Sequence, residues 1–148
     1  MTNTYKQIQL TNTAINDVAV DAFVPLGRVT ARVNSPYNCC NTFSVTSSTA
    51  DTVVINTAGF YKITYSLTAT AAAAGDVTIA LVVNGASVYS VTQAYVADST
   101  GANLTLVYTI RVAPNCSVSD TNVPVSVQLQ NTGVALTGET SNLIIEKL

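Results

Sequence analysis

Residues Val53–Leu67 read VVINTAGFYKITYSL, and this stretch decides the fold. Beyond Gly59, Tyr61, Ile63, Tyr65 and Leu67 fall on one side of an extended chain, while Lys62, Thr64 and Ser66 fall on the other. Successive side chains of a β-strand point to opposite faces, so the pattern describes a strand over Phe60–Thr68 with one dry face and one wet face. Working outward, the same period recurs. Leu104, Leu106, Tyr108, Ile110 and Val112 alternate with Thr105, Thr109 and Arg111. Val123, Val125, Val127 and Leu129 alternate with Ser126, Gln128 and Gln130, and Val29, Ala31 and Val33 with Arg28, Thr30 and Arg32. Shorter apolar pieces cover Phe43–Val45 and Val53–Ile55.

Turn chemistry separates these runs. Asn84-Gly85 stands between Val77–Val83 and Ala86–Val91, a strong hairpin signal because both residues accept positive φ. Gly75, Gly101, Pro114 and Gly133 punctuate the rest. Ala69–Ala74 has helical propensity but is too short to stand as a helix, so it reads as a loop or fraying strand end. Without helical crossovers a parallel sheet is excluded. The expectation is an all-β, antiparallel jelly-roll β-sandwich of about eight to ten strands.

Composition narrows the function. The 148 residues make one domain. Charged residues are 9% of the chain and hydrophobic ones 48%, with a mean hydropathy of +0.36. A net charge of -2 offers no footprint for nucleic acid, and no apolar run reaches the roughly 20 residues of a membrane-spanning helix. The polar stretch from Met1 shows no secretory signal, so synthesis in a host cytoplasm is expected. The chain has no histidine, which removes the commonest general base and a common metal ligand. Not an enzyme, and no cofactor or metal, are the expectations. Apolarity without a membrane implies surface hidden against other copies or other chains. Ile79–Val83 and Leu143–Ile145 are apolar on both faces, which calls for a covering loop of the same chain or a subunit interface.

Val53–Leu67, with its apolar strand, Gly59, the Phe60-Tyr61 pair and the alternating strand, resembles the hallmark strand pair of C1q/TNF-like jelly rolls. Val82-Val83-Asn84-Gly85 is similar to the hairpin of the bacterial and phage branch, and Asn142–Leu148 to its closing strand. These also resemble the C-terminal domains of spore-surface collagen-like glycoproteins, although this chain has no Gly-X-Y repeat. Val24–Val29, the cysteine-containing stretch and the Glu-Lys-Leu ending are similar to small stand-alone bacteriophage virion proteins. The resemblance covers roughly residues 14–148 and implies a homotrimer on a virion surface. The part it implies is a capsid decoration or head fibre, attached to a major capsid or other virion protein. The alternative is a receptor- or glycan-binding head recognising a bacterial surface, with a host glycan as ligand.

Candidate residues follow from these readings. Tyr61, Ile63, Tyr65, Tyr108, Ile145 and Leu148 are expected on the inner sheet and at the threefold contact. Residues 1–13 are read as an N-terminal arm or edge strand, with Tyr5, Ile8 and Leu10 able to dock in a partner groove. Residues 14–148 are read as the jelly-roll domain. Cys39, Cys40 and Cys116 are too few for a zinc site within one chain and have three open readings: reduced and inert, one disulfide, or metal. Asp17 and Asp21 share a face if their segment is a strand, which offers a weak calcium corner or a carboxylate pair against the plainer reading of a solvated edge. Tyr37, Tyr89 and Tyr95, in or near loops, either stack on sugars or fill sandwich edges.

Overall fold

A computed structural model of the chain describes residues 6–33, 42–45, 51–114 and 123–148. Ten strands are formed among them: β1 (Gln7–Val18), β2 (Arg28–Val33), β3 (Phe43–Val45), β4 (Val53–Ile55), β5 (Gly59–Ala71), β6 (Gly75–Val83), β7 (Ala86–Val96), β8 (Gly101–Val112), β9 (Val125–Asn131) and β10 (Leu136–Lys147). They build two five-stranded sheets, β2-β1-β10-β5-β8 and β3-β4-β9-β6-β7, in which every neighbouring pair is antiparallel. The all-β sandwich expected from the alternation is what the chain forms.

Alternation fixes which face is dry. Tyr61, Ile63, Tyr65 and Leu67 of β5 pair with Lys147, Ile145, Leu143 and Ser141 of β10 and with Ile110, Tyr108, Leu106 and Leu104 of β8. Most of this set is buried against the inward side chains of the β6/β7 sheet, among them Ile79, Leu81, Val127 and Leu129. A one-residue slip would turn the whole set to water, so register is strongly specified. Phe43 closes the core beside Tyr61, ring edge to ring face at 5.8 Å and 81°.

Local chemistry sets the corners. Asn84 (φ 51°) and Gly85 (φ 81°) form the two-residue turn of the β6–β7 hairpin. Asn84 Oδ1 also accepts the Ser126 N–H at 2.9 Å, tying that turn to β9. Between β1 and β2 the chain crosses from one sheet to the other. Asp21 N–H donates to Asn131 O, Asn131 N–H to Ala22 O, and Val24 N–H to Leu129 O, so this connection pairs with the end of β9. It drops Val24 and Leu26 into the core. Gly27 (φ 78°) then passes so close to β1 that a Cβ would lie 2.6 Å from Asn12 Cα. Buried Asn131 holds three segments together: its Nδ2 donates to Val18 O, Ala19 O and Val134 O, and its Oδ1 accepts the Gly133 N–H.

Two sequence readings change here. β1 runs unbroken across positions 13 and 14 and lies between β2 and β10, so residues 7–13 are neither an arm nor an edge strand. Its Ile8 and Leu10 are wholly buried in the chain's own core and offer nothing to a partner groove; Tyr5 lies outside the described residues. On β6, Ala80 and Val82 are buried within a single chain, so its second apolar face needs no neighbouring subunit.

Candidate interaction surfaces

Ionised side chains are few and unevenly placed. All six Lys and Arg residues lie on or beside the β1/β10 sheet: Lys6 ahead of β1, Arg28 and Arg32 on β2, Lys62 on β5, Arg111 on β8 and Lys147 on β10. Register gathers most of them at the end where β1 starts and β10 finishes. Lys62 faces Glu146, Lys147 faces Tyr61, Arg111 faces Phe60, and the Lys147 N–H donates to Lys6 O. Partial burial, then the neighbouring Lys6 charge, hold the Lys147 ammonium below its ordinary pKa. Asp17, Asp21, Asp76 and Asp98 sit at the opposite end, where the turns after β5, β7 and β9 collect. The domain is basic at one end and acidic at the other.

Exposed apolar groups concentrate around β8, the free edge of the β1/β10 sheet. Phe60 (54% exposed) and Val107 (50%) lie on the outward face of β5 and β8, and the backbone N–H of exposed Leu148 donates to Phe60 O. Facing β8 across the sandwich mouth is β7, with exposed Val88 and Tyr89. Tyr89 stacks on Tyr108 at 5.0 Å and 16°. Beside that pair is a hollow of about 230 Å³ lined by Val83, Val88, Tyr108, Thr109, Ile110 and Arg111. Exposed apolar groups thus stand on the outward face near β8 and at its edge, with Lys62, Thr109 and Arg111 among them.

These placements correct the residues expected at a threefold contact. Tyr61, Ile63, Tyr65 and Ile145 are at most 1% exposed, packed between the chain's own two sheets, so their side chains have no surface left for another subunit. Alternation identifies a dry face but not what keeps it dry, and here it is the second sheet. Tyr61 is further committed, donating its hydroxyl to Thr57 O at 2.8 Å. Of the six, Tyr108 at the mouth and Leu148 beside Phe60 keep accessible surface. The exposed apolar residues the sequence reading did not single out were Phe60, Val107 and Val88. Phe60 and Val107 carried a legible signal, being large apolar side chains on the polar parity of their strands.

At the acidic end one tyrosine stands apart. Tyr95 is 89% exposed and has φ 56°, a left-handed conformation costly for a bulky side chain. Asp76 Oδ1 accepts its backbone N–H at 3.0 Å and fixes that conformation. The adjoining turn is pinned to the end of β5 by Ser99 N–H to Ala71 O and Ala71 N–H to Thr100 O. Tyr89 lies on β7, the second strand of the Asn84-Gly85 hairpin. Tyr37, Cys39, Cys40 and Cys116 lie outside the described residues. Asp17 and Asp21 are exposed, and among the described residues no three acids, cysteines or histidines gather at one place.

Comparison with solved structures places this architecture. The Eiger TNF structure from S. frugiperda superposes with a TM-score of 0.69 at 10% identity, over 100% of this chain and 94% of that one. The globular domain of zebrafish complement 1qA gives 0.65 at 8% identity, covering 95% and 94%. PRD1 vertex protein P5 gives 0.57 at 14% identity, covering 97% of this chain and 72% of that one. The chain therefore has the C1q/TNF-like jelly-roll fold. No family model matches its sequence, and no curated protein does.

Proposed function

We propose that the chain is a structural protein of a bacteriophage particle, a homotrimeric capsid decoration or head-fibre component. The observation that carries the trimer is the pairing of patches around β8. A ring needs two different surfaces on each protomer, each fitting the other on its neighbour. Phe60, Val107 and Leu148 form the face patch, and Val88, Tyr89 and Tyr108 the edge patch. Burying both removes exposed apolar groups that a chain with 9% charged residues has little means to keep dissolved. Fold likeness to a phage vertex protein supports a place on a virion.

Charge polarity supports an orientation: the basic end docks on the shell and the acidic loop end faces outward. Two measurements test the reading. Sedimentation equilibrium is expected to give a species of three times 15.4 kDa. Antibody against the purified chain is expected to label intact particles over the head shell. A lone protomer at micromolar concentration, or particles that take no label, overturns it.

Tyr95 favours a second reading, a receptor- or glycan-binding head. An exposed aromatic held in a costly conformation beside carboxylates suits a sugar ring stacked on its face. Label confined to the tail, together with binding to a defined glycan that Tyr95→Ala abolishes, selects this reading over passive decoration.

A further inference from the structure

Three buried oxygen atoms without a hydrogen-bond partner belong to one group of inward side chains in the β1/β10 sheet: Tyr65 OH on β5, and Glu139 Oε1 and Ser141 Oγ on β10. Asn12 of β1, opposite Ser141, completes the group by donating Nδ2–H to Glu139 Oε2 at 2.7 Å. Ser141 Oγ is near enough to Glu139 and Tyr65 to lower both pKa values, yet it reaches hydrogen-bond geometry with neither. The group sits where both strands are irregular. β1 shifts register between Asn12 and Asn16, β10 shifts between Thr137 and Thr140, and Gly138 has φ 64°. Glu139 has no accessible surface.

Among the described residues no positive charge compensates this carboxyl. The facing groups are Asn12 from β1, Ser141 from β10 and Tyr65 from β5, of which only the phenol titrates. The inward side chains of β6 and β9 across the sandwich are Val77, Ile79, Leu81, Val125, Val127, Leu129 and the amide Asn131, none ionisable. A buried, unpaired carboxylate is costly enough that the group takes up a proton instead. The neutral acid also suits the composition of the group: with Oε2 accepting from Asn12, protonation makes Oε1 a donor beside the hydroxyls of Ser141 and Tyr65, which it reaches once these side chains close up slightly.

We infer that Glu139 is a proton-operated latch on the seam of β1, β10 and β5: uncharged, it completes a chain of polar contacts across the three strands, and ionised, it loosens them. Asn12 and Ser141 also line a hollow of about 270 Å³, among Thr11, Thr68 and Asn142. This inference does not depend on the oligomeric reading. Burial dominates the upward shift of the Glu139 pKa, with Ser141 and Asn12 pulling it partly back. A carboxyl whose folded pKa exceeds its unfolded value stabilises fully below the unfolded value. It loses that contribution as pH rises through the folded one.

The chain contains two glutamates, Glu139 and Glu146, so glutamate labelled at the side-chain carboxyl carbon gives two resonances in the unaltered protein. Glu139 is expected to titrate above the ordinary 4.5. A midpoint at or below that value overturns the inference. Thermal unfolding followed from pH 4 to 8 supplies the second readout. The native chain is expected to lose thermal stability relative to Glu139→Gln as pH rises through the Glu139 titration, read as a growing gap between the two unfolding midpoints. Equal pH slopes for the two proteins overturn the latch, and the resonance titration decides if Glu139→Gln does not fold.

Discussion

Truncating Phe60 to alanine tests the ring most directly. A phenylalanine presents roughly 150–250 Å² of surface, so a side chain 54% exposed leaves about 100 Å² for a neighbour to cover. At about 25 cal/mol/Å², and allowing for the Cβ that alanine keeps, each contact loses about 2 kcal/mol. Three equivalent contacts give about 6 kcal/mol in the trimer's dissociation constant. The half-assembly concentration scales as the square root of that constant, so it rises about a hundredfold. Sedimentation equilibrium over a wide loading range reads this shift. Val20→Ser removes an equally exposed apolar group at the other end and is expected to leave the midpoint unchanged. The stability of the dissociated protomer should hardly move, because Phe60 lies outside the core. An unchanged half-assembly concentration for Phe60→Ala, or an equal shift for Val20→Ser, refutes the assignment of the face patch.

Three further outcomes follow from the geometry. Gly27→Ala drives a Cβ into the β1 backbone at a positive φ, and chemical denaturation should register a loss of about 4 kcal/mol or more; a loss below 1 kcal/mol would show that the crossing relaxes freely. Asn131→Ala strips three carbonyls and one N–H of their shared partner, for an expected cost of about 2–4 kcal/mol with exchange protection lost first at Ala22 and Val134. Tyr95→Gly relieves a left-handed tyrosine and should raise stability by about 1 kcal/mol, measured as a higher denaturant midpoint. A lower midpoint would mean that the Tyr95 ring contributes more than its backbone costs.

Much of the fold was legible because period-two alternation and the Asn84-Gly85 turn are local signals. β5, β8 and β9 announced themselves, and the hairpin turn has the positive φ angles its residues allow. β1 did not, since it is largely polar and its place depends on Glu146 to Leu143 arriving from the far end of the chain. The surfaces were harder. Inward and outward parity on β5 and β8 could be read, but the partner covering the inward side could not, so Tyr61 and Ile63 were assigned to a neighbour instead of the second sheet. Glu139 went unread for a different reason: it shares the inward parity of Ser141, Leu143 and Ile145, but within Leu136–Asn142 it looks like one more polar residue, and an acid is not expected on a dry face.

The place of β10 between β1 and β5 also has a consequence for how the chain is made. By residue 131 a nascent polypeptide holds every strand of the β6/β7 sheet. The other sheet still lacks its middle, because Gln7 must wait for Glu146. Such distant pairing is slow to form and leaves greasy surface uncovered meanwhile. A protomer is therefore unfinished until β10 has slotted between β1 and β5. Any contact between protomers that needs a closed β1/β10 sheet has to wait for that last pairing.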